Sequence, residues 1–355
     1  VYAVWDSFYA ESVIFTIDVS TEPAIITDAL PITGASGLLD PEGLAVASGG
    51  GFWLASEGGV SVDSDDPAND PGSSTPNLVV RIASDGSVTD EIGLPDEVVA
   101  CREATVGDQS ASRSDRRAVR YGFEGVTEAA NGLVFVAQQR EWPFTTPDCA
   151  DLSGEAGVTK IWSYNPTNGE WDSFDYELLP KPVNAAWVGL SEITALDDGS
   201  FMVIERDNRT GDFAEVKTLQ RIAITNRGAN SVSRISSYDL LPDMLAANGW
   251  ISDKPEGAAV AADGSLYLVT DNDGVDDWSG ETLFLRLGSL DDVLAPGDDS
   301  STPPKVVPPS SPPGQGCAPG CGNGNGGTPP GLEGFGDDEP PGHAKGKKQG
   351  KPFAD

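Results

Sequence analysis

Along most of the chain, apolar residues fall into short runs that come in pairs, each pair joined by a turn containing glycine. The clearest pair is residues 190–208, LSEITALDDGSFMVIERDN. Glu192 opens a short apolar run, Asp198-Gly199 make a turn, and Phe201-Met202-Val203-Ile204 run into Glu205-Arg206-Asp207-Asn208. Three other stretches share this plan. Glu42 leads through Gly51 to Phe52 and Glu57, Glu124 through Asn131-Gly132 to Val134 and Gln139, and Glu256 through Asp263-Gly264 to Leu266 and Asp271. From opening glutamate to closing polar residue the offsets are 15 (42 to 57), 15 (124 to 139), 13 (192 to 205) and 15 (256 to 271). Two short strands joined by a glycine turn form a β-hairpin. A lone hairpin cannot bury its face, so four of them imply a repeat architecture with a shared core.

Further apolar segments follow each hairpin, at 78–82 and 87–92, 160–164 and 170–176, 218–225 and 231–236, and finally 282–287. About four short strands repeated around an axis make the blade of a β-propeller. The expectation is an all-β chain with about five blades visible, from a parent of five to seven. The glutamates stand 82, 68 and 64 residues apart (42, 124, 192, 256), more than the roughly 40–45 of compact blades. The excess lies in insertions such as 61–77 and 141–157, and short helices are expected within 96–121 and 240–248. Residues 1–31 read as strands 2–5, 12–18 and 24–27, the first resembling a closing strand with Asp6 in the place of Glu57. The opening strand of that unit is expected upstream of Val1. From residue 296 onward Pro, Gly, Asp and Ser dominate, before a basic patch of Lys345, Lys347, Lys348 and Lys351. Such a composition buries too little apolar surface to offset its ordering entropy. The domains expected are therefore a propeller at 1–295 and a disordered tail at 296–355.

Net charge of −34 narrows the partners. Nucleic acid requires Lys and Arg to displace counterions, and an anionic membrane surface also selects for basic residues. No apolar run approaches the roughly 20 residues of a membrane span. A small anionic or ester substrate remains compatible, and the oligomeric state is left open. Among the four cysteines, Cys101 and Cys149 lie in two insertions and can pair, and Cys317 and Cys321 are close enough to bridge each other. An even count without zinc-type or catalytic spacing points to an oxidising, extracellular setting.

The single histidine, His343, lies in the tail. A Ser-His-Asp triad, a Cys-His pair and a His-ligated zinc site all need a histidine in the fold, so carboxylate, amide, arginine and backbone must carry any chemistry. Those are ligands of hard cations, calcium above all. Strand ends near a propeller axis converge on its channel, which makes Glu42, Glu124, Glu192 and Glu256 candidate metal ligands. Glu57, Glu205 and Asp271 are candidate catalytic bases, and Gln139, Arg140 and Arg206 candidate substrate contacts. Carboxylates brought together without a cation would raise each other's pKa, a conflict that bound calcium removes. The same glutamates can instead bond neighbouring backbone N–H groups and hold blades in register, and the arginines can pair with Glu141 and Asp207, or with the glutamates, as structural bridges. Acidic loops at 63–66 and 271–277 are calcium-friendly but lack EF-hand spacing. Trp142, Trp187, Trp250 and Trp278 can line a pocket or fill the fold.

The stretches RYGFEGV (120–126), QREW (139–142), WVGLSEITAL (187–196), VIERDN (203–208) and VTDNDGVDD (269–277), with DPEGLA (40–45) and FWLASEG (52–58), resemble the bacterial phytase-like family described as "esterase-like activity of phytase". The resemblance runs from Val1 to about residue 290. It implies a secreted or cell-surface β-propeller assigned to phosphoester or ester hydrolysis, in a family whose full-length members extend further upstream. The site residues rest on the repeat and not on the resemblance. Three functions are thereby expected to compete: a calcium-dependent phosphate-ester hydrolase, a calcium-dependent lactonase or carboxylesterase, and a non-enzymatic calcium-stabilised adhesion propeller.

Overall fold

A computed structural model describes residues 1–5, 11–62, 70–225, 232–272 and 282–295. Asp6, the acidic loop at 63–66, residues 273–277 of the acidic loop at 271–277, Trp278, His343, the Cys317–Cys321 pair and the tail from 296 lie outside the described residues. Five antiparallel sheets follow one another in chain order. Blade one holds β1 (Tyr2–Val4), β2 (Val13–Asp18) and β3 (Ile25–Pro31). Blade two is β4 (Pro41–Val46), β5 (Phe52–Ser56), β8 (Leu78–Ile82) and β9 (Val88–Gly93), with a two-stranded ribbon of β6 (Val60–Ser61) and β7 (Ser73–Ser74) in its central loop. Blade three is β10 (Phe123–Glu128), β11 (Val134–Gln138), β12 (Val158–Tyr164) and β13 (Trp171–Glu177). Blade four is β14 (Val188–Ala195), β15 (Phe201–Asp207), β16 (Lys217–Ile224) and β17 (Val232–Asp239), and blade five is β18 (Lys254–Val260), β19 (Ser265–Asp271) and β20 (Phe284–Ser289). This is the propeller expected from the repeats.

The second strand of each repeat is buried on both faces, which is why it reads as an apolar run. In β15, Phe201 and Val203 pack towards Phe135 and Phe174 of blade three, while Met202 and Ile204 pack towards Leu266 and Leu268 of blade five. Strict alternation of apolar and polar residues would belong to a sheet with one wet face. The core is thus a series of interblade layers, one between each pair of neighbouring blades.

Long and short connections segregate to opposite ends. Hairpin turns such as Asp85-Gly86-Ser87, Asp198-Gly199-Ser200 and Asp263-Gly264-Ser265 close one end, each Asp Oδ1 accepting the Ser backbone N–H. These are Asx turns. The connections at 57–62 and 70–77, 94–122, 139–157, 208–216 and 240–253 all lie at the other end, the upper face. They carry helices α1 (Asp96–Val106), α2 (Arg113–Arg117) and α3 (Leu241–Asn248), with α4 (Leu290–Val293) after β20. Cys101 of α1 and Cys149 of the next insertion form a disulfide across 48 residues, the first of the two pairings open from sequence.

At the axis the opening strands nearly touch. A Cβ added at Gly43 would lie 2.5 Å from the Glu124 carbonyl oxygen, and one at Gly125 would lie 2.3 Å from the Ile193 nitrogen. Gly125→Ala is therefore expected to force blades three and four apart and cost about 1–3 kcal/mol. Gly93→Ala, where a Cβ meets nothing within 4 Å, should stay within about 0.5 kcal/mol of wild type. Urea unfolding of both variants checks the contrast, and equal losses would contradict the axial packing.

Candidate active site

In blades two to five the opening strand carries a β-bulge near its upper end. The register shifts between Pro41 and Gly43, between Phe123 and Val126, between Leu190 and Glu192, and between Pro255 and Gly257. A bulge re-aims one side chain out of the pleat. In blades two and five the extra residue is the opening glutamate, Glu42 or Glu256, but in blade four it is Ser191. The repeat in blade four is therefore one residue out of step with the sequence alignment. Its pair is Ser191 and Arg206, whose offset is the same 15 residues (191 to 206) as in the other blades. Cross-strand bonds agree: Gln139 Nε2 donates to Glu124 Oε1, and Arg206 Nε donates to Ser191 Oγ at 2.7 Å. The odd offset of 13 was the signal for the slip.

The two residues displaced by this shift sit elsewhere. Glu192 occupies the close-packed position of Gly43 and Gly125. Its carboxylate accepts from Thr194 Oγ1 at 3.2 Å and from the backbone N–H groups of Ile193 and Ala258, and burial raises its pKa well above the usual carboxylate range. It fastens blade four to blade five. Glu205 points away from the channel into an interblade network. It accepts from Tyr176 Oη at 3.0 Å, from Arg234 Nη2 at 3.1 Å and from the Leu179 N–H. Neither is brought to the channel cluster.

The other predicted residues do gather. Glu42 and Glu57 form, with Asp40, a group whose ligand oxygens all lie within 4.8 Å of one another. Asp40 was missed from sequence, although it stands just two residues before Glu42 in the DPEG motif. Burial and the Asp40 carboxylate push the Glu57 carboxyl up to about 8, despite a 2.8 Å bond from the Gly122 N–H. Glu124 is 2% exposed, and its pKa is raised by burial and by the neighbouring Glu57 and Glu256 carboxylates. Its Oε2 is buried with no hydrogen-bond partner. An orphaned buried carboxylate oxygen beside further carboxylates is costly unless a cation joins them. The donor set is all oxygen, as hard cations require.

Across the channel Arg206 is 2% exposed; its Nη2 donates to Glu256 at 2.6 Å and its Nη1 lies 3.6 Å from Asp253. Burial works against its charge, but the Glu256, Asp253 and Glu124 carboxylates hold the guanidinium above its ordinary range. Lys254 and Asp271 pair at 3.3 Å. Above this ring, Arg140 lies over Tyr121 at 4.4 Å and over Trp187 at 5.7 Å, and its Nε has no hydrogen-bond partner. Glu141 approaches its Nη2 at 3.7 Å, as one of the readings of sequence allowed. Arg206 lies 5.0 Å from the Trp187 ring, so Trp187 lines the site while Trp142 is buried in the layer between blades two and three.

Among curated proteins none matches the chain. Solved structures that align with it include a streptogramin B lyase, at 16% identity over 80% of this chain and 67% of that one, with a TM-score of 0.35. The virginiamycin B lyase of Staphylococcus aureus aligns at 12% identity over 79% and 68%, TM-score 0.32. The periplasmic gluconolactonase of Pseudomonas aeruginosa aligns at 13% over 79% and 78%, TM-score 0.33. Residues 1–274 match the phytase-like family described as esterase-like activity of phytase.

Without a cation, Glu57 keeps its proton to about pH 8 in the folded protein, whereas its ordinary value is 4.5. The native state then binds more protons than the unfolded chain across this window, so stability falls as pH rises through it. Denaturant midpoints measured in chelator should decline between pH 5 and pH 8, and Glu57→Gln should flatten the decline. Identical slopes in both proteins would remove Glu57 as its source.

Proposed function

We propose that this chain, which belongs to the phytase-like family, is a hydrolase of phosphate esters working at the upper mouth of its channel with a bound divalent cation. Calcium is the ion that fits an all-carboxylate oxygen set best. The observation that carries the reading is the buried, partnerless Glu124 Oε2 beside the Asp40, Glu42 and Glu57 group. Asp40, Glu42 and Glu57 would hold the ion with Glu124 next to it. Such an ion neutralises the clustered carboxylates and polarises an ester oxygen.

Arg140 binds the phosphate. Placed over Tyr121 and Trp187 with its side chain 23% exposed, it is a cation that a substrate oxyanion can reach. Asp271, held by Lys254, accepts a proton from the attacking water. Gln139 orients Glu124 through its amide. Glu205 has no part in this step, because Tyr176, Arg234 and the Leu179 N–H already engage it. The Cys101–Cys149 disulfide supports an extracellular or cell-surface setting, and among the described residues no helix is long and apolar enough to cross a membrane.

Aryl phosphate and aryl acetate turnover, each with chelator and with calcium restored, tests the proposal. Phosphate-ester turnover should vanish in chelator and return with calcium. Arg140→Ala should lower kcat/KM for the phosphate ester about 10- to 100-fold, the worth of one charge-assisted hydrogen bond, and spare the acetate. Calcium-dependent acetate turnover alone would favour the carboxylesterase or lactonase reading, where a neutral carbonyl needs no arginine. Bound calcium without turnover of either would favour a binding propeller.

A further inference from the structure

The equivalent positions of the four repeats can be compared directly once the blades are in register. Counting the residue two before the bulge, the bulge residue and the closing residue, blade two carries Asp40, Glu42 and Glu57. Blade three carries Gly122, Glu124 and Gln139, blade four Gly189, Ser191 and Arg206, and blade five Lys254, Glu256 and Asp271. Only blade two has three carboxylates and no cationic side chain at these positions.

In blade five the Lys254 ammonium stands where Asp40 stands in blade two, and it pairs with the closing Asp271 at 3.3 Å. In blade four the guanidinium of Arg206 replaces the closing carboxylate and reaches Glu256 at 2.6 Å. Glu256 and Asp271 are thus each joined to a positive group built into the chain. Glu124 of blade three presents a buried oxygen that no hydrogen bond satisfies. The Glu57 and Glu256 carboxylates act on it, and Arg206 and Lys254 offset them only in part, Lys254 reaching Glu57 as well.

We infer that the channel takes a single divalent cation, held on the blade-two side, and that Lys254 is a protein-borne substitute for a second one that the blade-five carboxylates would otherwise bind. The inference rests on the cation reading of the channel given above and adds to it a stoichiometry and the residue that sets it. Lys254 is a surface-accessible side chain, 23% exposed, so its replacement does not open the core.

Calcium binding to the full chain, counted by calorimetry and native mass spectrometry, tests this. Wild type should bind one ion, Asp40→Asn none at the same concentration, and Lys254→Asp two. Combining Lys254→Asp with Asp40→Asn should return the count to one, now at blade five. If Lys254→Asp folds poorly, Lys254→Gly, which copies blade three at this position, should still allow a second, weaker ion. One ion in wild type and still one in both Lys254 variants would overturn the role of Lys254 while leaving the cation reading intact. Two ions in wild type would overturn the stoichiometry. No ion in wild type would overturn the cation reading and this inference together.

Discussion

The near-contact of the opening strands at the axis governs the rest of the molecule. At Gly43 and Gly125 an added Cβ would strike the backbone of the next blade, and at the matching position of blade four the Glu192 side chain is buried and bonded to Ala258 of blade five. The bulge residue just before them therefore projects into the channel. Three of the four bulges present glutamate, so the packing that closes the core also presses like charges together. Burial at that point raises Glu57 and Glu124, and the channel must contain positive charge to remain ionised.

Part of that charge is supplied by the chain. Arg206 bridges Ser191, Glu256 and Asp253, and the fully buried Lys217 lies 3.0 Å from Asp207 beneath them. Lys217 Nζ also donates to the Asp207 and Asp253 carbonyl oxygens. Burial lowers the Lys217 pKa, while these carboxylates work in the opposite direction. Buried charges of this kind are costly unless paired, and each cation here has carboxylate partners, although Arg206 Nη1, 3.6 Å from Asp253, makes no hydrogen bond. The upper part of blade four is thus a buried network in which Arg206 and Lys217 are balanced by Asp207, Asp253 and Glu256.

The upper face is organised around the same centre. Arg102 of α1 donates to the carbonyls of Val119, Thr75, Gly58 and Gly59, so it ties together the loops that follow Glu57 and precede Glu124. The disulfide then anchors α1 to the insertion beyond Arg140. Long connections gathered at one end of a rigid scaffold are where binding and chemistry reside in loop-bearing folds.

The sequence by itself determined the blades, because short apolar runs separated by Asp-Gly and Asn-Gly turns admit little other than stacked hairpins. It also determined the residue types available for chemistry, since carboxylates and arginines are abundant and the only histidine lies in the tail. The pairing of Cys101 with Cys149 was open in sequence and closed by the fold. What the sequence did not determine was the register of the fourth blade. Glu192 and Glu205 match the repeat by type but are one residue out of phase, and a one-residue slip turns a strand's side chains to the opposite face. Only the tertiary structure, by pairing Leu190 with Glu205 across the bulge, put Arg206 in the channel and sent Glu205 to Tyr176. It likewise decided that Asp40 and Lys254 are equivalent, because equivalence in a propeller is a matter of position about the axis, which spacing along the chain only approximates.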